Sequence, residues 1–279
     1  MIEMGKLCKL RVEKRVDFGV YLDAYSLGEI LLPNKFVPDD TEPDDSIEVF
    51  LYFDSEDRPV ATTQTPLAMV GQFAYLNVLD TSEFGAFLDW GLDKDLLVPF
   101  AEQHRPMEVG HSYIVFLYID VKDQRIVASS KIDKFLDDEK PHSFEARQAV
   151  DIIVANSTEL GFKAIVNHSH WGVLYKNEVF ERLSFGQSKK AWIKQVREDR
   201  KIDLTLQGGR DTRDKNEQAI EDYLRAQNGF AAVHDKSSPE LISKTFGISK
   251  GAFKKTIGRL YKQKRITISK EGIRLVDPA

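Results

Sequence analysis

The chain has 279 residues, of which 42% are hydrophobic and 10% aromatic, enough to bury real cores and to exclude wholesale disorder. A single cysteine, Cys8, excludes an internal disulfide framework and a multi-cysteine zinc site, and its place in an N-terminal strand suits a small core residue. The net charge of −5 conceals an asymmetry: residues 1–150 hold 15 Lys and Arg against 28 Asp and Glu, whereas residues 151–279 hold 24 against 16. A basic surface is therefore expected in the second half and a merely solvating acidic one in the first.

No run of 18 apolar residues occurs, and the start, MIEMGKLCKLRVEK, lacks the apolar region of a signal peptide. A soluble, cytoplasmic protein with no membrane partner is expected. From the N-terminus onward the chain repeats itself. DFGVYL at 17–22 is answered by EFGAFL at 83–88, and EILLPN at 29–34 by DLLVPF at 95–100. EVFLYFDSEDRPVATT at 48–63 is answered by YIVFLYIDVKDQRIVASS at 113–130, so residues 1–66 and 67–133 are duplicates. Residues 134–149 are charged, contain Pro141 and read as a linker. A third, more divergent copy spans 150–209, with ELGFKAIV at 159–166, WGVLYKNEV at 171–179 and KKAWIKQVREDRKIDLTLQ at 189–207. Each copy packs five short β-branched and aromatic runs into about 60 residues, which suits a small closed barrel of the OB type.

Gly208-Gly209 reads as a hinge or turn, after which the periodicity changes. Asn216–Gln227 carries Ala219, Ile220, Tyr223 and Leu224 as the stripe of an amphipathic helix. Ser237-Ser238-Pro239-Glu240 starts a second helix that stops at Gly247, and Ser249 caps a third with Phe253, Ile257, Leu260 and Tyr261 on one face. Arg265–Ile268 and Gly272–Val276 alternate like a two-stranded ribbon, so residues 211–279 are expected to form a winged helix. The fold class is thus mainly β with an α+β tail: three tandem barrels, then a winged-helix domain.

Copy two, through Phe84-Gly85-Ala86-Phe87-Leu88, Val109-Gly110, Asp120, Arg125 and Ala128-Ser129-Ser130, resembles the S1 RNA-binding domain. Three such domains followed by a winged helix resemble the conserved virulence factor B family of bacterial regulators. That resemblance implies regulation of virulence-factor expression and base stacking on Phe18 and Tyr21 in copy one, with Asp54 and Arg58 beside them. In copy two it implies the same of Phe84 and Phe87, with Asp120 and Arg125. Residues three apart on a regular strand face opposite ways, so each pair of rings requires a bulge, which Gly19 and Gly85 are expected to supply. The family's histidine position falls on Pro33, Pro99 and Tyr175, and in copy three Leu160 and Lys163 replace the rings while Lys201 takes the basic position.

Copy three interleaves Trp171, Tyr175, Lys176, Lys189, Lys190, Trp192 and Lys194, a composition suited to a single-strand groove. The third helix of the tail brings Lys250, Lys254, Lys255, Arg259 and Lys262, but no Asn, Gln or Arg at its start for a bidentate base contact. Phosphate contact with RNA or DNA is expected there rather than operator reading. No Walker loop, GxSxG, CxxC or HExxH occurs, so neither an enzyme nor a cofactor is expected. His168 and His170 read as turn or surface residues and Asp39–Asp45 as a solvated loop, so no metal is expected. Single-stranded RNA is the expected partner. The alternatives left open are a winged-helix DNA-binding regulator whose acidic barrels recruit a protein, and a scaffold that binds no nucleic acid.

Overall fold

The computed structural model describes residues 2–122, 124–136 and 141–276, with the backbone alone at 209–213. They form two compact units, Met1–Leu136 and Asp137–Ala279. In the first unit β1 (Leu7–Val16), β2 (Gly19–Asp23), β3 (Glu29–Pro33), β4 (Ser46–Phe53) and β5 (Pro59–Thr62) close into a barrel in the order β1-β2-β3-β5-β4. Strand β1 serves two neighbours, pairing β4 with its first half and β2 with its second, and a register shift between Val12 and Lys14 lets it bend from one to the other. Leu10, Val12, Val20, Leu22, Ile30, Leu32, Val49 and Leu51 fill the interior, and Cys8 packs half-buried against them.

The second barrel comprises β6 (Phe73–Ser82), β7 (Gly85–Leu88), β8 (Leu96–Pro99), β9 (Ser112–Ile119) and β10 (Ile126–Ser129). It repeats the bent first strand, with the shift between Val78 and Asp80. This barrel is nearly closed. β8 and β10 lie side by side but form no ladder, and the strands run as an open sheet β10-β9-β6-β7-β8. In the first barrel the equivalent seam is held by the parallel pair Leu31 and Val60. The two barrels are fused through side chains: Phe50, Tyr52 and Val60 of the first belong to one core with Trp90, Leu96 and Val98 of the second. The Phe50 and Trp90 rings meet edge to face at 5.7 Å.

The bulges fall on the long first strands, and none falls at Gly19 or Gly85. Phe18 and Phe84 precede β2 and β7, in the turns, so strand alternation does not govern them. The glycines have another task. A Cβ at Gly19 would sit 2.2 Å from the Leu32 carbonyl oxygen, and one at Gly85 2.2 Å from that of Val98, so these positions let neighbouring strands approach closely.

In the second unit β11 (Ala149–Ser157), β12 (Gly161–Val166), β13 (His170–Tyr175), β14 (Ser188–Val196) and β15 (Ile202–Thr205) form a closed barrel of the same order as the first. Residues 134–149 are more than a linker where they are described. Phe135 stacks on Phe116 at 4.2 Å, and Phe144 joins the core of the third barrel. His170, expected at the surface, is buried and its ring lies 5.1 Å from His142 and 5.5 Å from Phe144. His168 does occupy the turn, with a φ of 55°.

Helix α1 (Gly209–Ala226) follows at once, so Gly208 is an N-cap and no hinge intervenes. Its buried stripe is Glu217, Ile220, Glu221 and Leu224, while Ala219 is exposed. Then come β16 (Phe230–Ala231), α2 (Pro239–Phe246), α3 (Lys250–Lys262), β17 (Ile266–Ile268) and β18 (Ile273–Leu275). Ser238 accepts from the Leu241 N–H at 3.2 Å and Ser249 from the Ala252 N–H at 3.1 Å, caps of about 1 kcal/mol each. The wing is a three-stranded sheet, β16-β18-β17, because the short β16 adds itself to the expected ribbon. Among the described residues no helix is long and apolar enough to cross a membrane.

Candidate nucleic-acid interface

In the first barrel the Phe18 and Tyr21 rings do come together, edge to face at 6.3 Å, with Phe18 exposed. Lys14, paired with Tyr21 across the ladder, lies over the tyrosine ring at 5.0 Å, a cation the motif did not reveal. Arg58 is engaged in its own turn by Asp54 at 2.8 Å and Glu56 at 3.0 Å. Burial works against ionisation of Asp54, but hydrogen bonds from the Arg58 and Glu56 N–H groups and the Arg58 side chain outweigh it and hold the carboxyl below its usual range. Asp54 and Asp120 therefore serve first as turn caps, Asp120 accepting from the Lys122 N–H at 2.9 Å.

In the second barrel Phe84, Phe87 and Arg125 line one cavity of ≈ 300 Å³. Its opposite wall belongs to the first barrel, through Tyr52, Phe53, Ser55 and Asp57. The Asp57 carboxylate holds both Arg125 and Lys94. That wall is not legible in the sequence, because Asp57 and Arg125 stand in different copies.

The third barrel carries the denser array. The Lys163 ammonium lies 3.8 Å from the Trp171 ring centroid, and Lys194 and Arg197 flank the Tyr175 ring at 5.8 and 5.9 Å. The Tyr175 hydroxyl donates to Asp203 at 3.2 Å, and the buried Asp203 also accepts from Arg197 Nε at 3.0 Å. Arg197 thereby orients the Tyr175 ring. The Trp192 ring packs where a Cβ on Gly208 would lie 2.3 Å off.

Ion pairing sorts the candidate cations. Lys189 pairs with Glu181, Lys190 with Asp151 at 2.7 Å, Lys194 with Glu178 at 2.5 Å and Lys201 with Asp199 at 3.1 Å. Lys163, Lys176, Lys250, Lys254, Lys255 and Lys262 have no ion-pair partner among the described residues. On α3 the face of Phe253, Thr256, Ile257 and Leu260 is buried, leaving Lys254, Lys255, Lys262 and, contrary to expectation, Tyr261 outward. Arg259 is drawn inward to Glu217 at 3.1 Å, while Arg265 reaches Glu217 at 3.3 Å and Glu221 at 2.6 Å. Arg259 thus ties α3 to α1. Arg274 of the wing, 4.9 Å from the Phe230 ring, is a further cation beside an aromatic that the sequence reading passed over. Among the described residues no group of three His, Cys, Asp or Glu could hold a metal ion.

Comparison with known proteins places these elements. Residues 218–275 match the family model described as a CvfB-like winged helix domain, and residues 4–64 and 70–131 match that of the S1 domain. Both are nucleic-acid-binding modules. The chain is 28% identical to the Bacillus subtilis protein YitL, covering 94% of this chain and 90% of that one. It is also 28% identical to conserved virulence factor B of Staphylococcus aureus strain N315, covering 86% and 84%. Among solved structures it is similar to a multidomain protein with nucleic acid binding domains from Streptococcus pneumoniae, at 24% identity, 98% coverage of both chains and a TM-score of 0.43.

Proposed function

The chain belongs to the conserved virulence factor B family of S1 and winged-helix proteins, and from that premise we propose that it binds single-stranded RNA, without catalysis, to regulate gene expression in the cytoplasm. The observation that carries the reading is the third barrel's pairing of cations with rings: Lys163 on Trp171, and Lys194 and Arg197 around Tyr175. A single strand offers the π-faces of its bases and a charged phosphate backbone, and such an array meets both without asking for a particular sequence. Lys254, Lys255 and Lys262 on the outward face of α3 extend the phosphate contacts within the same unit. Regulation of virulence factors rests on the family relationship alone.

A winged-helix DNA reading draws on the same three lysines, with the acidic first unit recruiting a protein partner. The two are separated by competing a labelled single strand of about 20 nucleotides of RNA against duplex DNA at two salt concentrations. Preference for RNA, weakening with salt, supports the proposal. Preference for duplex moves the function to α3. In the RNA reading Lys254→Glu with Lys255→Glu lowers affinity and reduces the slope of log K against log salt by about 1.4, at about 0.7 per phosphate on a single strand.

A further inference from the structure

The cavity between the first two barrels has features that a passing strand does not require. It is walled on two sides, by Phe84 and Phe87 of the second barrel and by the Tyr52–Asp57 stretch of the first, with Trp90, Leu96 and Ile126 among its apolar lining. At ≈ 300 Å³ it is at the small end of ligand pockets, the scale of one base rather than a run of them. The charge of its cations is already neutralised, since Arg125 and Lys94 both lie on the Asp57 carboxylate. With Asp57 and Asp95 against those two cations the lining carries no net positive charge, so it suits the neutral part of a nucleotide and not its phosphate.

Two polar features remain in the lining. Asp95 is half-buried and no described residue hydrogen-bonds or ion-pairs with its carboxylate. Burial, with Asp89 and Asp80 nearby, pushes that carboxyl above its usual range. The unladdered seam also opens here: Leu97 of β8 and Val127 of β10 line the cavity, whereas their counterparts Leu31 and Val60 in the first barrel are paired to each other. A flat group that stacks on phenylalanine, donates two N–H bonds to a carboxylate and accepts beside them from a cation answers this arrangement.

We propose that this cavity is a pocket for one unpaired guanine of a bound RNA, stacked on Phe84 and Phe87, its N1–H and N2–H donating to Asp95 and its O6 accepting from Arg125 or Lys94. The inference rests on the RNA-binding reading above. Other bases fit the edge less well. Adenine brings the N1 lone pair, and uracil its carbonyl oxygens, against the carboxylate, and cytosine offers it only the N4 amine. The first two barrels would then read a base where the third barrel and α3 hold the strand.

The test is fluorescence anisotropy on the full chain, with labelled oligouridine and the same oligomer carrying one central guanine. The guanine should tighten binding about tenfold, the scale of one good bidentate base contact. Asp95→Asn should cut that gain to less than twofold while leaving oligouridine affinity unchanged, and Phe84→Ala, at an exposed ring the fold does not need, should abolish the gain while also weakening oligouridine. Equal binding of both oligomers by the native chain, or a gain that survives Asp95→Asn, overturns the pocket while leaving RNA binding intact. Failure to bind either oligomer overturns the RNA-binding reading and the pocket with it.

Discussion

The ion pairs on the third barrel make a prediction of unusual sign: removing acid should strengthen RNA binding without adding a single cation. Lys189 and Lys194 are each held by a carboxylate, Glu181 and Glu178, which a phosphate must displace before it can be neutralised. Exposed pairs of this kind are worth about 0.2–1 kcal/mol each. Glu178→Gln with Glu181→Gln therefore spares about 0.4–2 kcal/mol on binding, a gain in affinity of roughly two- to thirtyfold. Equilibrium titration of labelled single-stranded RNA at fixed moderate salt measures it. The slope of log K against log salt should stay close to that of the native chain, because the number of phosphates met is unchanged. An affinity that stays the same or falls would show that Lys189 and Lys194 do not meet phosphate, and the groove would have to be sought elsewhere on the unit.

Other expectations concern stability. Trp90→Ala removes the buried ring against which Phe50 and Tyr52 pack and should cost about 3–5 kcal/mol, read as a lowered urea midpoint; a loss below about 1 kcal/mol would mean the barrels are not fused through this residue. Asp95→Asn should raise the melting temperature at neutral pH, since a carboxyl whose folded pKa is raised weakens the fold as pH climbs through that value; melts recorded down to about pH 4 should show the gain fading. Asp54 has the opposite sign, its lowered pKa giving stability above the unfolded value that is lost as pH falls through the folded one, so Asp54→Asn should flatten the acid limb of the melting curve.

The barrels are legible in the sequence because each copy must solve the same problem: a tight approach of two strands beside a ring-bearing turn. That need puts Gly19 and Gly85 in register with Pro33 and Pro99. What each glycine does is not legible, since a bulge and a close backbone approach ask for the same residue. The winged helix announces itself through Ser238, Gly247 and Ser249, whose roles are local. The start of α1 is hidden because its first turns carry no apolar stripe, and its buried face includes Glu217 and Glu221, which Arg225, Arg259 and Arg265 make tolerable. The wall of the guanine pocket is hidden for a related reason. Asp57 and Arg125 sit in equivalent turns of two copies, and nothing local says that one turn folds over the face of the next barrel.

Strand β15 ends at Thr205 and α1 begins at Gly209, with Gly208 against the Trp192 ring and the Ser249 hydroxyl 3.0 Å from Gln207 Oε1. With so short and so packed a junction, the winged helix is not a second ligand on a tether. A strand that settles on the third barrel finds α3 already oriented, so the second contact is made without the loss of freedom that a flexible connection would impose. Affinity across the two surfaces should then multiply rather than average, and evolution could leave each surface weak on its own while keeping the whole tight.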